Sequence, residues 1–271
     1  MSGEFAGRVA IVTGAASGIS RVILQRFAQA GARTVLADLN VAWSQRVAEG
    51  LVAQGHEVLV VPTDVRDSGR VDAMVAQAVD RYGRVDILVH GAGVGVHKRI
   101  VELSDEEWDL QVGVQLRGAF LLSRAVARRL IAQGEGGRLV LIGSTSANNA
   151  RIQAGPHAAS KAGEVQLARV LALELGEHGI TANVVSPGLT DVSGISLSRL
   201  QPAYAEAHNR QVPLGRLATP DEIADAVLFF ASDRACFITG QMVNIDGGYS
   251  AGKLSVQGPL RAATYGEIAM E

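Results

Sequence analysis

Cysteine, aromatic side chains and clustered charge are what this sequence has least of. A single cysteine, Cys236, stands among its 271 residues, so no intramolecular disulfide can form and the fold has to be held by its core. Aromatic residues make up only 4% of a chain that is 48% hydrophobic, which leaves that core to aliphatic side chains. The charges nearly cancel, to a formal net charge of −2, and no Lys/Arg run occurs. Nucleic acid and anionic membranes both recruit concentrated positive charge, so neither is an expected partner. No apolar run reaches the ~18 residues needed to span a bilayer. The segment Met1-Ser2-Gly3-Glu4-Phe5 carries no apolar h-region and no twin-arginine signal, so a cytoplasmic location is expected. Repeats, low-complexity tracts and linkers are absent too, and residues 1–271 read as a single domain.

What is present is a regular alternation. Apolar runs at residues 9–12, 34–37, 58–61, 87–90, 139–142 and 182–185 read as buried strands. The stretches between them, near 19–30, 41–54, 68–82, 105–133 and 157–178, read as helices, with Gly31, Gly55 and Gly83 as stop signals. Continuous apolar strands separated by helices imply an α/β protein: a Rossmann-like doubly wound parallel sheet in a three-layer α/β/α sandwich. Right-handed crossovers place every strand's carboxyl end on one side, where ligands of such sheets bind.

The glycine turn after the first run organises that side. Val9-Ala10-Ile11-Val12 breaks at once into Thr13-Gly14-Ala15-Ala16-Ser17-Gly18-Ile19-Ser20. A helix opening near Ser17 leaves unpaired backbone N–H groups at its positive end, where a pyrophosphate can sit. Asp38 ends the second run, placed to accept hydrogen bonds from an adenosine ribose and to repel a 2′-phosphate, which favours NAD over NADP. Asp64, Gly91 to Gly93, Ser144 and Pro187-Gly188 fall at the ends of other strands. The histidines show no H-x-x-x-H or Cys/His spacing, so no metal site is expected.

Thr13-Gly14-x-x-x-Gly18-x-Ser20 resembles the TGxxxGxG fingerprint of the short-chain dehydrogenase/reductase family, with Ser20 in place of the last glycine. The resemblance runs from about residue 7 to residue 250. Val89-His90-Gly91-Ala92-Gly93 is similar to the family's NNAG motif, with His90 and Gly91 where the two asparagines stand. Asp64-Val65 looks like its adenine-facing acid, and Val185-Ser186-Pro187-Gly188 like the segment lining the nicotinamide. Ile238-Thr239-Gly240-Gln241 with Asp246-Gly247-Gly248 resembles its terminal I-T-G-Q and D-G-G. The resemblance implies NAD binding by Gly14, Ser17, Gly18, Ile19, Asp38, Leu39, Asp64, Val65, His90, Ala92, Gly93, Lys161, Pro187, Gly188 and Thr190. It also implies a substrate lid at about 189–212 and an isologous homodimer or homotetramer built on the helices at 105–133 and 157–178.

The family's catalytic Ser, Tyr and Lys, assisted by an Asn, correspond here to Ser144, His157, Lys161 and Gln115. Two of these positions depart from the family. Histidine still exchanges protons, and Lys161 one turn away disfavours imidazolium, so a neutral imidazole able to act as a base is expected. Such a base suits alcohol oxidation better than carbonyl reduction. The ring is shorter than a phenol, so reaching the substrate calls for a bridging water or a shifted substrate. Gln115 keeps an amide that can hold a water. The implied activity is the interconversion of an alcohol and a ketone or aldehyde with NAD(H). Two alternatives stay open: non-redox lyase, dehalogenase or dehydratase chemistry on the same fold, and a catalytically silent dinucleotide-binding subunit.

Overall fold

The computed structural model describes residues 3–192 and 201–254. Among them seven strands form one parallel sheet: β1 Val9–Thr13, β2 Arg33–Asp38, β3 Val58–Pro62, β4 Ile87–His90, β5 Gly137–Ile142, β6 Ile180–Pro187 and β7 Met242–Ile245. Their order is β3-β2-β1-β4-β5-β6-β7, so the winding direction reverses between β1 and β4. The crevice at such a reversal, at the carboxyl ends, is where this architecture binds ligands. The sheet is layered by helices α1 Gly18–Gln29, α2 Val41–Val52, α3 Ser68–Tyr82, α4 Asp105–Val112, α5 Gly118–Gln133, α6 Gly155–Leu175, α7 Pro202–Asn209 and α8 Pro220–Ala231.

The period of two along each strand divides the core. In β1, Val9 and Ile11 pack into the layer that holds Met74 and Leu122, while Ala10 and Val12 pack into the layer that holds Leu24, Phe27 and Val227. Both faces are covered, which is why the strand sequence is apolar throughout rather than alternating. Phe5 and Phe27 close one edge of the second layer edge-to-face, with ring centroids 5.0 Å apart.

Local signals set the helix ends. Gly83 adopts φ 80 at the end of α3, a left-handed conformation that glycine enters without a Cβ penalty. Asp67 accepts from Arg70 N at 3.1 Å at the start of that helix, a cap whose loss costs about 1 kcal/mol. The expected helical stretch 105–133 is two helices joined through a π-helical turn, Gly113–Arg117. The stretch expected at 157–178 begins earlier, at Gly155-Pro156, and gives way to a 3₁₀ turn after Leu175. Strand β7 is absent from the apolar runs because it is an edge strand, only half-buried and interrupted by Asn244. Its position is imposed from outside: the Asn183 side chain in β6 donates to Ile238 O at 2.7 Å and accepts from Gln241 N at 3.0 Å. No helix of the described residues is long and apolar enough to cross a membrane. Of the lid expected at 189–212, residues 193–200 lie outside the described residues, as does the tail from 255.

Candidate active site

The turn after β1 builds a groove. Gly14, Ser17, Gly18, Ile19, Asp38 and Trp43 line it on one side, and Gly91, Gly93, Ile142 and Val192 on the other. Gly14 is held at φ +69 with its Cβ position 2.7 Å from Ala92 Cα, so any side chain would force the β1 and β4 turns apart. Gly18, at φ +60, faces open space. Ser17 stands at the N-cap of α1, but its side chain makes no capping bond, which leaves the first N–H groups of that helix for an external acceptor. An uncapped helix N-terminus over an open glycine turn is a fit for a pyrophosphate.

A second cavity meets the first at Gly14, Asp38 and Gly93 and is lined by Leu39, Asp64, Val65, Ala92, Val94 and Val114. Asp38 is anchored through its carboxylate to the N–H groups of Ala16 at 3.0 Å and Asn40 at 2.8 Å, so it stands fixed where the two cavities join. Asp64 is gripped by Arg66 at 2.7 Å, and this guanidinium holds its carboxyl below the usual range. Leu39, Asp64, Val65 and Ala92, expected around a dinucleotide's adenosine half, all line this second cavity.

His90 is a correction to that set. Its ring is fully buried behind the cavities, with Nδ1 3.0 Å from Thr13 Oγ1 and Nε2 3.0 Å from Gln115 O. Thr13 Oγ1 also accepts from Gly91 N at 3.2 Å and Ala92 N at 3.3 Å, so its own proton goes to the imidazole. Both ring nitrogens are spent inside the protein. Burial and the Lys161 ammonium push His90 down to about 3, so it is a neutral strut tying β1, β4 and the π-helical turn together. Thr190 is likewise turned inward, donating to Gly188 O at 3.1 Å, and Val192 lines the groove instead. Pro187 ends β6 and Gly188 follows it, where a Cβ on Gly188 would stand 2.8 Å from Asp246 Cβ. The Asp246 carboxylate in turn knits the last turn, accepting from the N–H groups of Gly248 and Ser250 at 2.9 Å each.

Ser20 has a physical explanation that the sequence did not offer. A Cβ added to Gly91 would lie 2.1 Å from Ser20 Oγ, so the serine hydroxyl fills the volume that a side chain at 91 would take. The departures at the two family motifs are therefore reciprocal: a side chain moved from one turn to the other.

Gln115 and His157 are in contact, Lys161 stands one turn beyond His157 on α6, and Ser144 follows the end of β5. Ser144 caps the short 3₁₀ turn after β5, its Oγ accepting from Ser146 N at 3.1 Å. Lys161 Nζ donates to Ile142 O at 2.6 Å, and Ile142 itself lines the groove. His157 Nδ1 is 3.2 Å from Gln115 Nε2, which also donates to Val94 O at 3.2 Å. Burial first, then the charges of Lys161 and Arg151, lower His157 to about 4, so the ring is neutral at physiological pH. Among the described residues no three metal-ligating side chains are gathered together.

Two residues of this site were not singled out in the sequence. Glu164, fully buried one turn beyond Lys161, accepts from its Nζ through Oε1 at 2.8 Å and Oε2 at 3.0 Å. Burial pushes its carboxyl up to about 7, with the ammonium working in the opposite direction. Gln111, also fully buried, donates to Val94 O at 2.8 Å and accepts from Val96 N at 3.3 Å. The available signal for Glu164 was an acid three residues after Lys161 inside an otherwise apolar helix face.

Comparison with known proteins adds relatives to this geometry. A sequence model of the family described as Enoyl-(Acyl carrier protein) reductase matches residues 14–250. The chain is 37% identical over 243 residues to a (2S)-[(R)-hydroxy(phenyl)methyl]succinyl-CoA dehydrogenase subunit of Thauera aromatica, covering 90% of this chain and 96% of that one. It is 38% identical over 244 residues to D-threitol dehydrogenase of Mycolicibacterium smegmatis, covering 90% and 93%. A crystal structure of a short-chain type dehydrogenase/reductase from Mycobacterium marinum superposes with a TM-score of 0.85 at 30% identity, over 92% of this chain and 97% of that one.

Proposed function

The chain belongs to the short-chain dehydrogenase/reductase family, and from that premise we propose that it interconverts an alcohol and its ketone or aldehyde with NAD(H). The observation that carries this reading is the continuity of the groove. It runs from Asp38, past the uncapped start of α1, to Ile142, whose carbonyl holds Lys161. Gly14, Ser17, Gly18 and Ile19 would hold the pyrophosphate, Asp38 the adenosine ribose, and Leu39, Asp64, Val65 and Ala92 the adenine. A 2′-phosphate would meet the Asp38 carboxylate with no cation lining either cavity among the described residues, which supports NAD over NADP. When bound, the nicotinamide exchanges a hydride with the substrate carbon. The protein's own groups manage the substrate oxygen: Ser144 offers a hydroxyl and His157 an imidazole in the position where the family carries its phenol. Lys161 supplies positive charge beside them.

The exposed apolar side chains of α5 and α6, among them Phe120, Val170 and Leu173, support assembly as a homodimer or homotetramer through these helices. The formal net charge of −2 and the lack of a Lys/Arg run in the sequence support a small-molecule partner.

An NADH fluorescence titration followed by an alcohol and ketone panel tests this reading. Binding of NADH with turnover in the wild type is expected. No NADH binding would overturn it, and turnover gained only in His157→Tyr would assign the protein to a silent, cofactor-holding role.

A further inference from the structure

The surroundings of the Val94 carbonyl determine where the His157 ring carries its proton. Val94 O accepts from two glutamine amides, Gln111 Nε2 at 2.8 Å and Gln115 Nε2 at 3.2 Å. A carbonyl oxygen only accepts, so the nitrogen end of the Gln115 amide must face it. The same nitrogen lies 3.2 Å from His157 Nδ1. Its two hydrogens serve these two acceptors, and Nδ1 therefore presents a lone pair. A neutral imidazole has one N–H, which is left to Nε2, an atom with no partner among the described residues.

The arrangement is braced from both sides. Gln111 pins the same loop at two points, Val94 O and Val96 N. The main-chain carbonyl of Gln115 takes a bond from His90 Nε2 at 3.0 Å. Gln115 itself sits in the π-helical turn, a widened helical geometry that recurs where a side chain is re-aimed into a site. Lys161 on the same helix, Arg151 on the preceding loop and His97 after β4 are the charged and titratable neighbours of the ring, and none of them accepts a proton from Nδ1.

We propose that Gln115 is a positioning residue that fixes His157 as its Nε2–H tautomer, so that the site offers the substrate oxygen a hydrogen-bond donor rather than a base. This deepens the functional reading above and rests on it for the identity of the substrate oxygen. It replaces the base that a neutral histidine alone suggests with a donor. A fixed N–H donor gains strength as negative charge develops on the substrate oxygen, so it binds and polarises a ketone or aldehyde by hydrogen bonding while the proton that completes the alcohol comes from solvent. An alcohol would need an unprotonated Nε2, and Gln115 blocks the transfer of that proton to Nδ1.

The test is ¹⁵N NMR of the imidazole-labelled protein without cofactor or substrate, with His157 assigned by the loss of its signals in His157→Asn. A pyridine-type Nδ1 and a pyrrole-type Nε2 are expected near neutral pH. Gln115→Glu places a carboxylate that accepts from Nδ1–H, and is expected to raise the His157 midpoint by at least about one unit and to shift the proton to Nδ1. Gln115→Met keeps the bulk but removes the donor, and mixed tautomers are expected; it serves if the glutamate variant does not fold. A pyrrole-type Nδ1 in the wild type, or identical His157 signals in wild type and Gln115→Met, would overturn the proposal. The readout needs neither turnover nor NADH, so it fails separately from the binding titration.

Discussion

Glu164 offers the sharpest physical test of the site. It is fully buried, and both its oxygens are bonded to Lys161 Nζ, whose remaining contact is Ile142 O at 2.6 Å. Removing one member of such a pair leaves the other charge buried and uncompensated, a loss of about 3–5 kcal/mol. Glu164→Leu should therefore lower Tm by roughly 6–20 °C, taking about 2–4 °C per kcal/mol for a chain of this size. Glu164→Gln keeps one oxygen for the ammonium, and its cost should be nearer about 1–3 kcal/mol. The double variant Lys161→Met/Glu164→Leu removes both charges and should return close to wild-type stability. The measurement is thermal or urea denaturation at pH 8 and fixed protein concentration, since any assembly makes the midpoint concentration-dependent. The pH dependence carries its own sign. Folding raises the Glu164 carboxyl to about 7 from the ordinary 4.5, so the folded state holds this proton more tightly. Its contribution is full below about pH 4.5 and is lost as pH rises through about 7, and Glu164→Gln should erase that segment of the stability profile. A Glu164→Leu protein within about 1 kcal/mol of wild type, or a double variant as unstable as the single, would refute the reasoning.

Other expectations follow from the same geometry. Asp38→Ala removes the carboxylate at the junction of the two cavities, and should weaken NADH binding by about tenfold while improving NADPH relative to NADH; equal ratios in wild type and variant by fluorescence titration would contradict the assignment. Gly91→Ala sets a Cβ 2.1 Å from Ser20 Oγ and should cost about 1–3 kcal/mol, with Ser20→Gly restoring most of it. Simple additivity in that double-mutant cycle would mean the two turns are not coupled. Phe120→Asp with Leu173→Asp, on the exposed faces of α5 and α6, should shift sedimentation toward the monomer without changing the circular dichroism spectrum.

Much of the fold was readable from local pattern. The apolar runs that became β1 to β6 lie within two residues of their expected ends, because a strand covered on both faces has to be apolar at every position. Helix α3, expected near 68–82, spans Ser68–Tyr82, since Gly83 is a short-range stop signal on its own backbone. Strand β7 was missed because half of it faces outward and its pairing is dictated by Asn183, far away in the chain. The glycine turn after β1 and the place of Asp38 at the end of β2 were legible for the same local reason. His90 was placed on the cofactor from its motif position, whereas its hydrogen bonds to Thr13 and Gln115 take it out of the cavity.

What the sequence determined alone is the alternation that lays a parallel sheet between helices, the turn that frees the start of α1, and the spacing that sets His157 and Lys161 on one helix face. These depend on backbone period and turn chemistry, which act over a few residues. Only the tertiary structure decided the hydrogen-bond partners of the site. The orientation of Gln115 is set by a carbonyl at Val94, the role of Ser20 by the empty Cβ position of Gly91, and the strength of the Glu164 grip on Lys161 by complete burial. Hydrogen-bond direction and desolvation are properties of the groups that surround a side chain, and those neighbours come from segments that meet only when the chain has folded.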